Sequence, residues 1–408
     1  MNKIFRSVGH PPIRLLLKNG VGISGTEVLP VATIVIRDRR TLFNLILDPE
    51  VGFGEAYSEG CITVEGNLVA ALEAVYRCMP DVGYQSWYAG IVSRCVGYAQ
   101  RNSLRGARNN IHRHYDLNSE FFRLWLDHQL VYSCAYFSSV SMSLEEAQVA
   151  KMDYICRKLN LQPGERVVDV GSGWGALALH MAKHYGVTVR GFSISHEQVR
   201  WARRRAQEMD LTDRVEFIED DYRNISGKCD ALVSVGMLEH VGLEHYREMG
   251  RVLHRSLDNA GRGLLQSIGR DRPHPFNNWT AKRIFPGAYA PTLRQIMDIF
   301  EPYEFSILDV ENLRAHYART LERWLERFED SANEVCAMFG PEFVRTWRLY
   351  LAGSTAGFRV GTLQLFQIVF ARTACELIPS TRTHLYQEAQ EGSTEADLRL
   401  LHVGPAKG

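Results

Sequence analysis

The chain has 408 residues, enough for two domains, and its hydrophobic fraction of 45% and charged fraction of 23% are those of a globular protein. Lys plus Arg equal Asp plus Glu at 47 each, so no overall charge draws the chain to nucleic acid or to an anionic membrane. The amino terminus lacks a signal-peptide core and no 18-residue apolar run occurs, which predicts a cytoplasmic protein whose membrane contact is peripheral.

Residues 1–100 are predicted to form a small mixed α/β domain associated with lipid or membrane. The segment at residues 31–36 predicts a strand, and residues 42–47 are apolar enough for a second strand. Residues 48–60 contain three glycines, which indicates turns, and residues 68–76 suit a short helix.

The composition changes at residues 101–113, which we predict to be a basic linker. Its arginines are Arg101, Arg105, Arg108 and Arg113. Charge runs usually face water, so a solvated connector is the simpler interpretation. The alternative is that these arginines contact lipid phosphates, each contributing about 1 kcal/mol near an anionic surface.

Short apolar runs alternate with helical patterns from residue 165 onward. Strands are predicted at residues 166–170, 187–192, 215–219, 231–235 and 263–268, and helices at residues 175–185, 196–209 and 244–257. Such alternation is typical of βαβ units, so residues 114–388 are predicted to form a Rossmann-like α/β domain with a mostly parallel, doubly wound sheet. Residues 389–408 are polar and predict a loose tail.

The eight cysteines show no spacing that would indicate a zinc site or a disulfide framework. They are Cys61, Cys78, Cys95, Cys134, Cys156, Cys229, Cys336 and Cys375. We therefore predict no metal site and a reducing compartment.

A glycine-rich segment, DVGSGWG at residues 169–175, follows the first strand of the predicted α/β domain. Its glycines stand where a strand turns into a helix, where the backbone passes close to a ligand and a Cβ would obstruct it. A dinucleotide site has a similar turn but offers an acidic residue for the ribose after the second strand. Here the second strand ends in SISHEQ at residues 193–198, which disfavours a nicotinamide oxidoreductase.

The segments DVGSGWGALA and FSISHEQ resemble the first and second motifs of the cyclopropane fatty acid and mycolic acid cyclopropane synthases, a subgroup of class I S-adenosylmethionine-dependent methyltransferases. Further matching segments keep the family's order, namely HYD (114–116) with FF (121–122), YSCAYF (132–137), DYR (221–223), SVGMLEHVG (234–242), IFPG (284–287), HY (316–317) ahead of Thr320, Leu321 and Trp324, and QLFQIVF (364–370). GEAY at residues 54–57 also resembles the amino-terminal domain of the phospholipid-acting members, so the resemblance covers most of the chain.

The resemblance implies a set of residues that bind S-adenosylmethionine. Tyr132 and Ser133 would hold its amino acid end, Gln198 its ribose, and Tyr222 with Arg223 its adenine. The full implied set is Tyr132, Ser133, Asp169, Gly171, Ser172, Gly173, Ser193, Ile194, Gln198, Asp221 and Tyr222.

The implied reaction adds a methyl group to an isolated alkene and passes through a carbocation. Such a site needs a dry pocket, a base and electron-rich surfaces, and aromatic faces stabilise cations. The matching segments contain Tyr115, Phe121, Phe122, Tyr132, Tyr136, Phe137, Tyr317 and Trp324. Each is more often a core residue than a site residue, because aromatic side chains dominate cores.

In the family the base is a bound bicarbonate ion, held by a cysteine backbone, a glutamate, a histidine, an isoleucine backbone and a tyrosine, so bicarbonate is the second implied cofactor. The implied catalytic residues are Cys134, Glu239, His240, Gln266, Ile268 and Tyr317. Gln266 departs from the family's histidine: it keeps a donor and an acceptor but carries no charge. A cysteine that members often have near Ser354 is also missing, and the chemistry does not require it.

The resemblance implies methylene transfer from S-adenosylmethionine to the double bond of unsaturated phospholipid acyl chains, giving cyclopropane fatty acids. Gln266 keeps open an alternative, C-methylation to a methyl-branched olefin without ring closure. A lipid-binding protein without catalysis is disfavoured by the intact glycine loop and Glu239. The expected partners are phospholipids at the inner face of the membrane and a second copy of the chain in a homodimer, with no nucleic acid.

Overall fold

The computed structural model describes residues 1–79 and 119–386. The predicted linker at residues 101–113, the motif at residues 114–116 and the predicted tail at residues 389–408 lie outside the described residues. The described residues form two β-sheets, one of four strands and one of seven strands.

The smaller sheet belongs to the amino-terminal part of the chain. Its strands are β1 (Arg14–Leu17), β2 (Gly22–Ser24), β3 (Ala32–Ile36) and β4 (Ile62–Gly66), accompanied by helices α1 (Asn2–Ser7), α2 (Arg39–Leu47), α3 (Pro49–Ser58) and α4 (Leu68–Cys78). The strand order is β2-β1-β3-β4, in which β1 and β3 are parallel and the other pairs antiparallel. The predicted strand at residues 31–36 and helix at residues 68–76 are confirmed, as is the mixed α/β class.

The predicted strand at residues 42–47 is wrong, because this segment belongs to helix α2. The side chain of Asp38 accepts a hydrogen bond from the Thr41 N–H at 2.8 Å, and such a cap starts a helix. Thr41 and Leu45, one turn apart, are buried while Phe43 is exposed. The apolar run therefore has one buried helical face, which a short segment does not distinguish from a strand.

The predicted turns at residues 48–60 are also wrong, because helix α3 covers most of them. The Asp48 carboxylate accepts a hydrogen bond from the Val51 N–H at 3.1 Å, and a proline follows in the first turn, as is usual at helix starts. Gly54 is needed for packing: a Cβ there would lie 2.3 Å from Cγ of Trp279. The glycine allows a close approach between two segments far apart in sequence.

The larger sheet carries the strands of the predicted Rossmann-like domain. They are β5 (Arg166–Val170), β6 (Thr188–Ser193), β7 (Val215–Glu219), β8 (Cys229–Val235), β9 (Leu257–Gly269), β10 (Ser306–Asn312) and β11 (Gln364–Ala371). Their order is β10-β11-β9-β8-β5-β6-β7, parallel from β9 to β7, with β11 antiparallel to both of its neighbours. The mostly parallel, doubly wound sheet is confirmed.

Helices cover both faces of this sheet. The described α-helices are α5 (Ser119–Arg123), α6 (Leu144–Lys158), α7 (Ala176–Tyr185), α8 (His196–Glu208), α9 (Tyr246–Ser256), α10 (Asn278–Arg283), α11 (Leu293–Met297), α12 (Arg314–Asp330), α13 (Ala332–Phe339) and α14 (Pro341–Val360). Short 3₁₀ turns lie at Tyr222–Asn224, Leu238–His240, Leu243–His245, Glu301–Tyr303 and Thr383–Leu385. None of the helices within residues 1–79 and 119–386 is long and apolar enough to cross a bilayer.

The amino-terminal part packs directly on the larger part of the molecule. One hydrophobic core contains Ile36 and Leu72 together with Trp324 and Leu351. Helix α14 packs on α3 and α4, and Glu55 of α3 forms ion pairs with the two basic residues at the end of α10. The two parts therefore share a continuous interface, and a large cavity lies within it.

The strand order reverses direction at β5, which has β6 on one side and β8 on the other. Loops leaving such neighbouring strands diverge to opposite faces of the sheet, and ligands of open α/β sheets bind in the crevice between them. The glycine-rich segment lies at this position, directly after β5.

Candidate active site

A cavity of about 170 Å³ opens at the carboxyl ends of β5, β6 and β8. Every residue predicted to bind the cofactor lines it: Tyr132, Ser133, Asp169, Gly171, Ser172, Gly173, Ser193, Ile194, Gln198, Asp221 and Tyr222. We call it the cofactor cavity. The structure thus brings together residues from four separate segments of the sequence.

The three glycines after β5 are required for different reasons. All have positive φ, at 87° for Gly171, 53° for Gly173 and 86° for Gly175, a region that side chains other than glycine rarely adopt. A Cβ at Gly175 would lie 2.6 Å from the Phe217 ring, and one at Gly171 would lie 2.9 Å from Met237. A Cβ at Gly173 meets no described atom within 4 Å, so Gly173 is the glycine whose side faces open cavity.

The predicted ribose end of the cavity is ordered by a short hydrogen-bond chain. Ser195 caps helix α8, and this fixes Gln198 in the first turn. Ser193 donates to Oε1 of Gln198 at 2.9 Å. The carboxamide oxygen is thereby occupied, which leaves the Gln198 amide nitrogen to donate to a ligand hydroxyl.

The predicted adenine end combines an aromatic ring with an ion pair. The Arg223 guanidinium lies 5.2 Å from the centre of the Tyr222 ring, and its Nε lies 3.1 Å from the Asp221 carboxylate. The Tyr222 hydroxyl is buried and has no hydrogen-bond partner among the described residues. Burial also raises the pKa of this hydroxyl, so it stays a donor.

The amino acid end contains a buried lysine that the sequence analysis missed. Lys151 of helix α6 lines the cavity and donates from Nζ to Oγ of Ser133 at 3.1 Å. Burial lowers the pKa of Lys151 to about 8 and raises the pKa of Asp169 to about 7. The only signal in the sequence was a lysine on the apolar face of a helix, and that pattern is usually a solvated or snorkelling residue.

The residues around this cavity fit a nucleoside with a charged amino acid end. Five side-chain polar atoms of its lining residues are buried without a hydrogen-bond partner among the described residues: Oδ2 of Asp169, Oγ of Ser172, Nε1 of Trp174, the Tyr222 hydroxyl and Nε of Arg223. Unsatisfied buried polar atoms are costly, so a ligand that pairs with them stabilises the site.

A second cavity of about 710 Å³ lies between the amino-terminal part and the larger sheet. Its walls are mainly apolar, with Phe53, Leu72 and Val75 on one side and Phe285 and Phe358 on the other. We call it the lipid cavity, because its volume and walls suit a long hydrocarbon chain.

Five of the six predicted catalytic residues line the lipid cavity: Glu239, His240, Gln266, Ile268 and Tyr317. Cys134, the sixth, lines neither cavity in the part of the chain that the structure describes. Its thiol is buried, and burial raises its pKa. The resemblance implies a role for the backbone of this residue, beside Ser133, and none for its thiol.

Glu239 is a buried carboxylic acid at the end of β8. Its Oε1 accepts a hydrogen bond from the Ile268 N–H at 2.6 Å, while Oε2 is buried without a partner among the described residues. Burial raises its pKa to about 7. Such a group changes protonation state near neutral pH, as a catalytic acid or base must.

The neighbours of Glu239 differ in part from what the resemblance implies. The Ile268 N–H, expected to hold bicarbonate, bonds to Glu239 instead. Gln266 accepts a hydrogen bond at Oε1 from Nε2 of Gln367 at 2.8 Å, so its own amide nitrogen is the group that can face the cavity. Tyr317 packs against the Phe358 ring with 4.6 Å between ring centres.

The two cavities meet at four residues that line both: Tyr132, Ser133, Gly236 and His240. Gly236 has a φ of 72°, and a Cβ there would meet no described atom within 4 Å. Burial lowers the pKa of His240 to about 4, so this ring is neutral at physiological pH. A group held in one cavity can therefore reach a group held in the other without passing through bulk water.

The aromatic candidates divide as expected between core and site. Tyr132 and Tyr317 line the lipid cavity. Phe121, Phe122 and Trp324 belong to the hydrophobic core, and no described part of either cavity wall includes them. Two others, Tyr136 and Phe137, also lie outside both walls, and Tyr115 lies outside the described residues.

Comparisons with known proteins agree with this arrangement. A family model described as mycolic acid cyclopropane synthetase matches residues 102–368. The cyclopropane-fatty-acyl-phospholipid synthase of Escherichia coli strain K12 is 40% identical over 361 residues, which are 88% of this chain and 92% of that protein. The tuberculostearic acid methyltransferase UfaA1 of Mycobacterium tuberculosis is 31% identical over 385 residues, or 90% of this chain and 89% of that protein.

A solved structure shows the same fold with a cofactor product bound. Mycolic acid cyclopropane synthase CmaA1, complexed with SAH and CTAB, has a TM-score of 0.62 and 30% sequence identity. The similarity covers 65% of this chain and 98% of CmaA1. The likeness supports the assignment of the smaller cavity to S-adenosylmethionine.

Proposed function

Since the chain belongs to the mycolic acid cyclopropane synthetase family and is an S-adenosylmethionine-dependent methyltransferase, we propose that it transfers a methylene group to the double bond of an unsaturated phospholipid acyl chain. The observation that carries the proposal is the meeting of the cofactor cavity with a mainly apolar cavity of about 710 Å³ beside Glu239. The relative from Escherichia coli is named for this substrate class.

The cavity walls supply the conditions for methyl transfer. S-adenosylmethionine supplies a methyl group on a positively charged sulfur, a strong electrophile. Apolar residues such as Leu72 and Phe358 exclude water, which would otherwise trap the cation that forms on the lipid. The ring of Tyr317 lies in the same wall and stabilises positive charge through its face.

Glu239 is the group that we assign to proton removal. Addition of a methyl group to one alkene carbon leaves the other carbon positive, and loss of a proton from that methyl closes the ring. One carboxylate oxygen is fixed by the Ile268 N–H, and the other has no partner among the described residues. Its pKa of about 7 suits an acceptor at neutral pH.

That bicarbonate binds beside Glu239 as a second cofactor is a proposal, and the described residues fit it only in part. Glu239, Gln266 and Tyr317 line the cavity, but the Ile268 N–H bonds to Glu239 and Cys134 lies outside the wall. We therefore derive no step through this ion. Whether turnover depends on bicarbonate is tested by adding the ion to assays from which carbonate has been removed.

The second candidate is methylation without ring closure. Gln266 is neutral where the family has histidine, and one relative is named a methyltransferase of tuberculostearic acid. The cation would then lose its proton elsewhere on the chain, giving a methyl-branched olefin of the same mass as the cyclopropane.

Proton NMR of the product lipid distinguishes the two candidates, because cyclopropane methylene protons resonate far upfield of olefinic protons. The purified protein is incubated with vesicles of unsaturated phospholipid and S-adenosylmethionine. We expect upfield signals from the parent and from Gln266→His. Olefinic product alone from the parent, with rings appearing in Gln266→His, would establish the second candidate.

Peripheral contact with an anionic membrane is part of the proposal. Phe43 and Leu47, one turn apart on α2, are exposed by 59% and 67%. Apolar side chains at such positions suit insertion among lipid headgroups. A double variant, Phe43→Ser with Leu47→Ser, should sediment less with vesicles than the parent does.

We also propose that the protein is a homodimer. Light scattering, which measures the mass of the particle in solution, tests this.

A further inference from the structure

Arg270 is a half-buried arginine in the wall of the lipid cavity, and its Nε is the atom that is fully buried. It follows directly after β9, and its N–H donates to the Pro291 carbonyl at 2.9 Å, which anchors the backbone there. The guanidinium carbon lies 5.6 Å from the centre of the Phe276 ring. The backbone of Arg270 is thus fixed by a hydrogen bond, and its side chain lies over one aromatic face.

This cation has no anionic partner among the described residues. Its Nε is buried without a hydrogen bond, and no described carboxylate lies within ion-pair distance of it. The adjacent Asp271 carboxylate lies 3.6 Å from the Arg272 guanidinium instead. Burial lowers the pKa of Arg270, and the charges of nearby groups, among them Asp271 and Glu50, offset this only in part.

A cation withdrawn in part from water, with no ion pair among the described residues, is costly, so its presence in a ligand cavity indicates an anion that arrives with the ligand. The residues that follow, Arg272 and His274, line the same cavity and are exposed, which places Arg270 just inside a rim formed by this segment. A long hydrocarbon chain in the cavity would bring its polar end to such a rim.

We propose that Arg270 is the subsite for the anionic head of the lipid substrate, with the guanidinium binding oxygens of a phosphodiester or carboxylate. This inference rests on the proposed function, because it takes the lipid cavity to hold an acyl chain. Guanidinium groups bind both anions in bidentate fashion. The head held at Arg270 would fix how far the acyl chain reaches toward Glu239, and so which double bond reacts.

Glu50 gives the proposal a second, opposite test. It lines the same cavity, and its charge acts on Arg270 without an ion pair. A carboxylate in that position repels an incoming anion, so Glu50→Gln should strengthen anion binding while Arg270→Met weakens it. A purely structural role for Arg270 does not predict opposite effects from these two substitutions.

The experiment measures binding of n-decyl phosphate, decanoate and decanol to the full-length protein by calorimetry, with S-adenosylhomocysteine bound. These probes do not react, so the test is independent of turnover. We expect the parent to prefer an anionic probe over decanol, and Arg270→Met to lose roughly 10- to 100-fold of that affinity. Arg272→Met is the matched control, a neighbouring arginine beside Asp271, and should change affinity by less than about threefold.

The two anions distinguish the sources of the head group. Preference for decyl phosphate assigns the subsite to a phospholipid, and preference for decanoate assigns it to a free fatty acid. Equal binding of all three probes by the parent, or an anion preference that survives in Arg270→Met, would overturn the proposal. If Arg270→Met does not fold, Arg270→Lys replaces it, because lysine keeps the positive charge but cannot form two parallel hydrogen bonds to the anion. Decyl phosphate binding should then weaken in part in Arg270→Lys and strengthen in Glu50→Gln, and no change in either variant would overturn the proposal.

Failure of the proposed function has a different signature. A parent that binds decyl phosphate through Arg270 but forms no product from any unsaturated lipid would leave the subsite standing and remove the reaction. If the parent forms cyclopropanes but binds the charged and neutral probes with equal affinity, the proposed anion subsite is wrong and the proposed reaction is supported.

Discussion

The cofactor cavity and the lipid cavity are adjacent, yet the chain builds them in different ways. The cofactor cavity is lined mainly by loops that directly follow β5, β6, β7 and β8. The lipid cavity takes its walls from α1 at one end of the chain to residues next to β11 near the other. A site made by loops of neighbouring parallel strands leaves local motifs in a sequence, whereas a site made at an interface between two parts of a molecule leaves only scattered apolar residues.

This difference also separates the chemistry. Polar, hydrogen-bonded side chains such as Ser193 and Gln198 line the cofactor cavity, whereas the lipid cavity is mainly apolar and has polar groups such as Glu239 and Arg270 in its wall. Substitutions in one cavity should therefore change one binding property and leave the other intact. Each prediction below tests that separation.

The largest effect is expected from Glu239→Gln. We expect turnover to fall by about 100- to 1,000-fold, since one well-placed group at the reacting centre contributes roughly 3 to 4 kcal/mol. Binding of S-adenosylhomocysteine should not change, because Glu239 lines only the lipid cavity. The exposed Glu244→Gln serves as the control, and a Glu239→Gln enzyme within twofold of the parent would remove this carboxylate from the mechanism.

Gly173→Val should abolish measurable cofactor binding, a loss of about 100-fold or more, because the side chain would occupy open cavity. Calorimetric titration with S-adenosylhomocysteine checks it. Gly164→Val is the matched control: it also has positive φ and no described atom within 4 Å of its Cβ, but it lies outside the cavity wall. Equal affinities for the two variants would show that backbone strain, not the cavity, explains the loss.

Lys151→Met should weaken S-adenosylhomocysteine binding by roughly 10- to 100-fold, the range for a charged hydrogen bond. It should leave 5′-methylthioadenosine, which lacks the amino acid end, unaffected. Lys158→Met on the same helix is the control, since that lysine is equally buried but pairs with Glu311 at 2.6 Å. Equal losses for both nucleosides would show that Lys151 shapes the cavity rather than binding the amino acid end.

The pH dependence should differ between the two cavities by about tenfold per pH unit. Turnover needs the ionised form of Glu239, so the rate should fall as pH drops below about 7. Cofactor binding needs protonated Lys151, so affinity should fall as pH rises above about 8. The turnover rate at saturating cofactor and the cofactor affinity are measured separately from pH 5.5 to 9.5. If the two quantities follow the same pH profile, the two cavities do not act independently.

Glu239 also makes the stability depend on pH with a definite sign. Its folded pKa of about 7 lies above the ordinary value of 4.5, so the folded state binds more protons between these values. Stability should therefore fall as pH rises from about 4.5 to 7, by a few kcal/mol at most, and Glu239→Gln should flatten this part of the curve. Chemical denaturation at pH 5 and pH 8 measures it, and an unchanged slope in the variant would contradict the assignment.

The sequence by itself determined the class of the seven-stranded sheet and the glycine loop after β5, and the resemblance to a family implied the residues that line the cofactor cavity. The sheet class and the glycine loop depend on residues close together in the chain, where a strand, a tight turn and a helix cap follow one another. The same locality explains why Lys151 was missed: it lies on a helix before the first motif and reaches the cavity only through packing.

Only the tertiary structure decided the rest. The segments at residues 42–47 and 48–60 are helices because their aspartate caps and the packing of Gly54 against Trp279 outweigh local apolar and glycine content. The lipid cavity exists because two parts of the molecule, far apart in sequence, share one interface, and Arg270, which has no ion pair among the described residues, lies in its wall. The bond between Ile268 and Glu239 forms because β9 lies beside β8 in the sheet. Which charged side chains become buried depends on contacts between distant segments, and short sequence patterns do not predict such contacts.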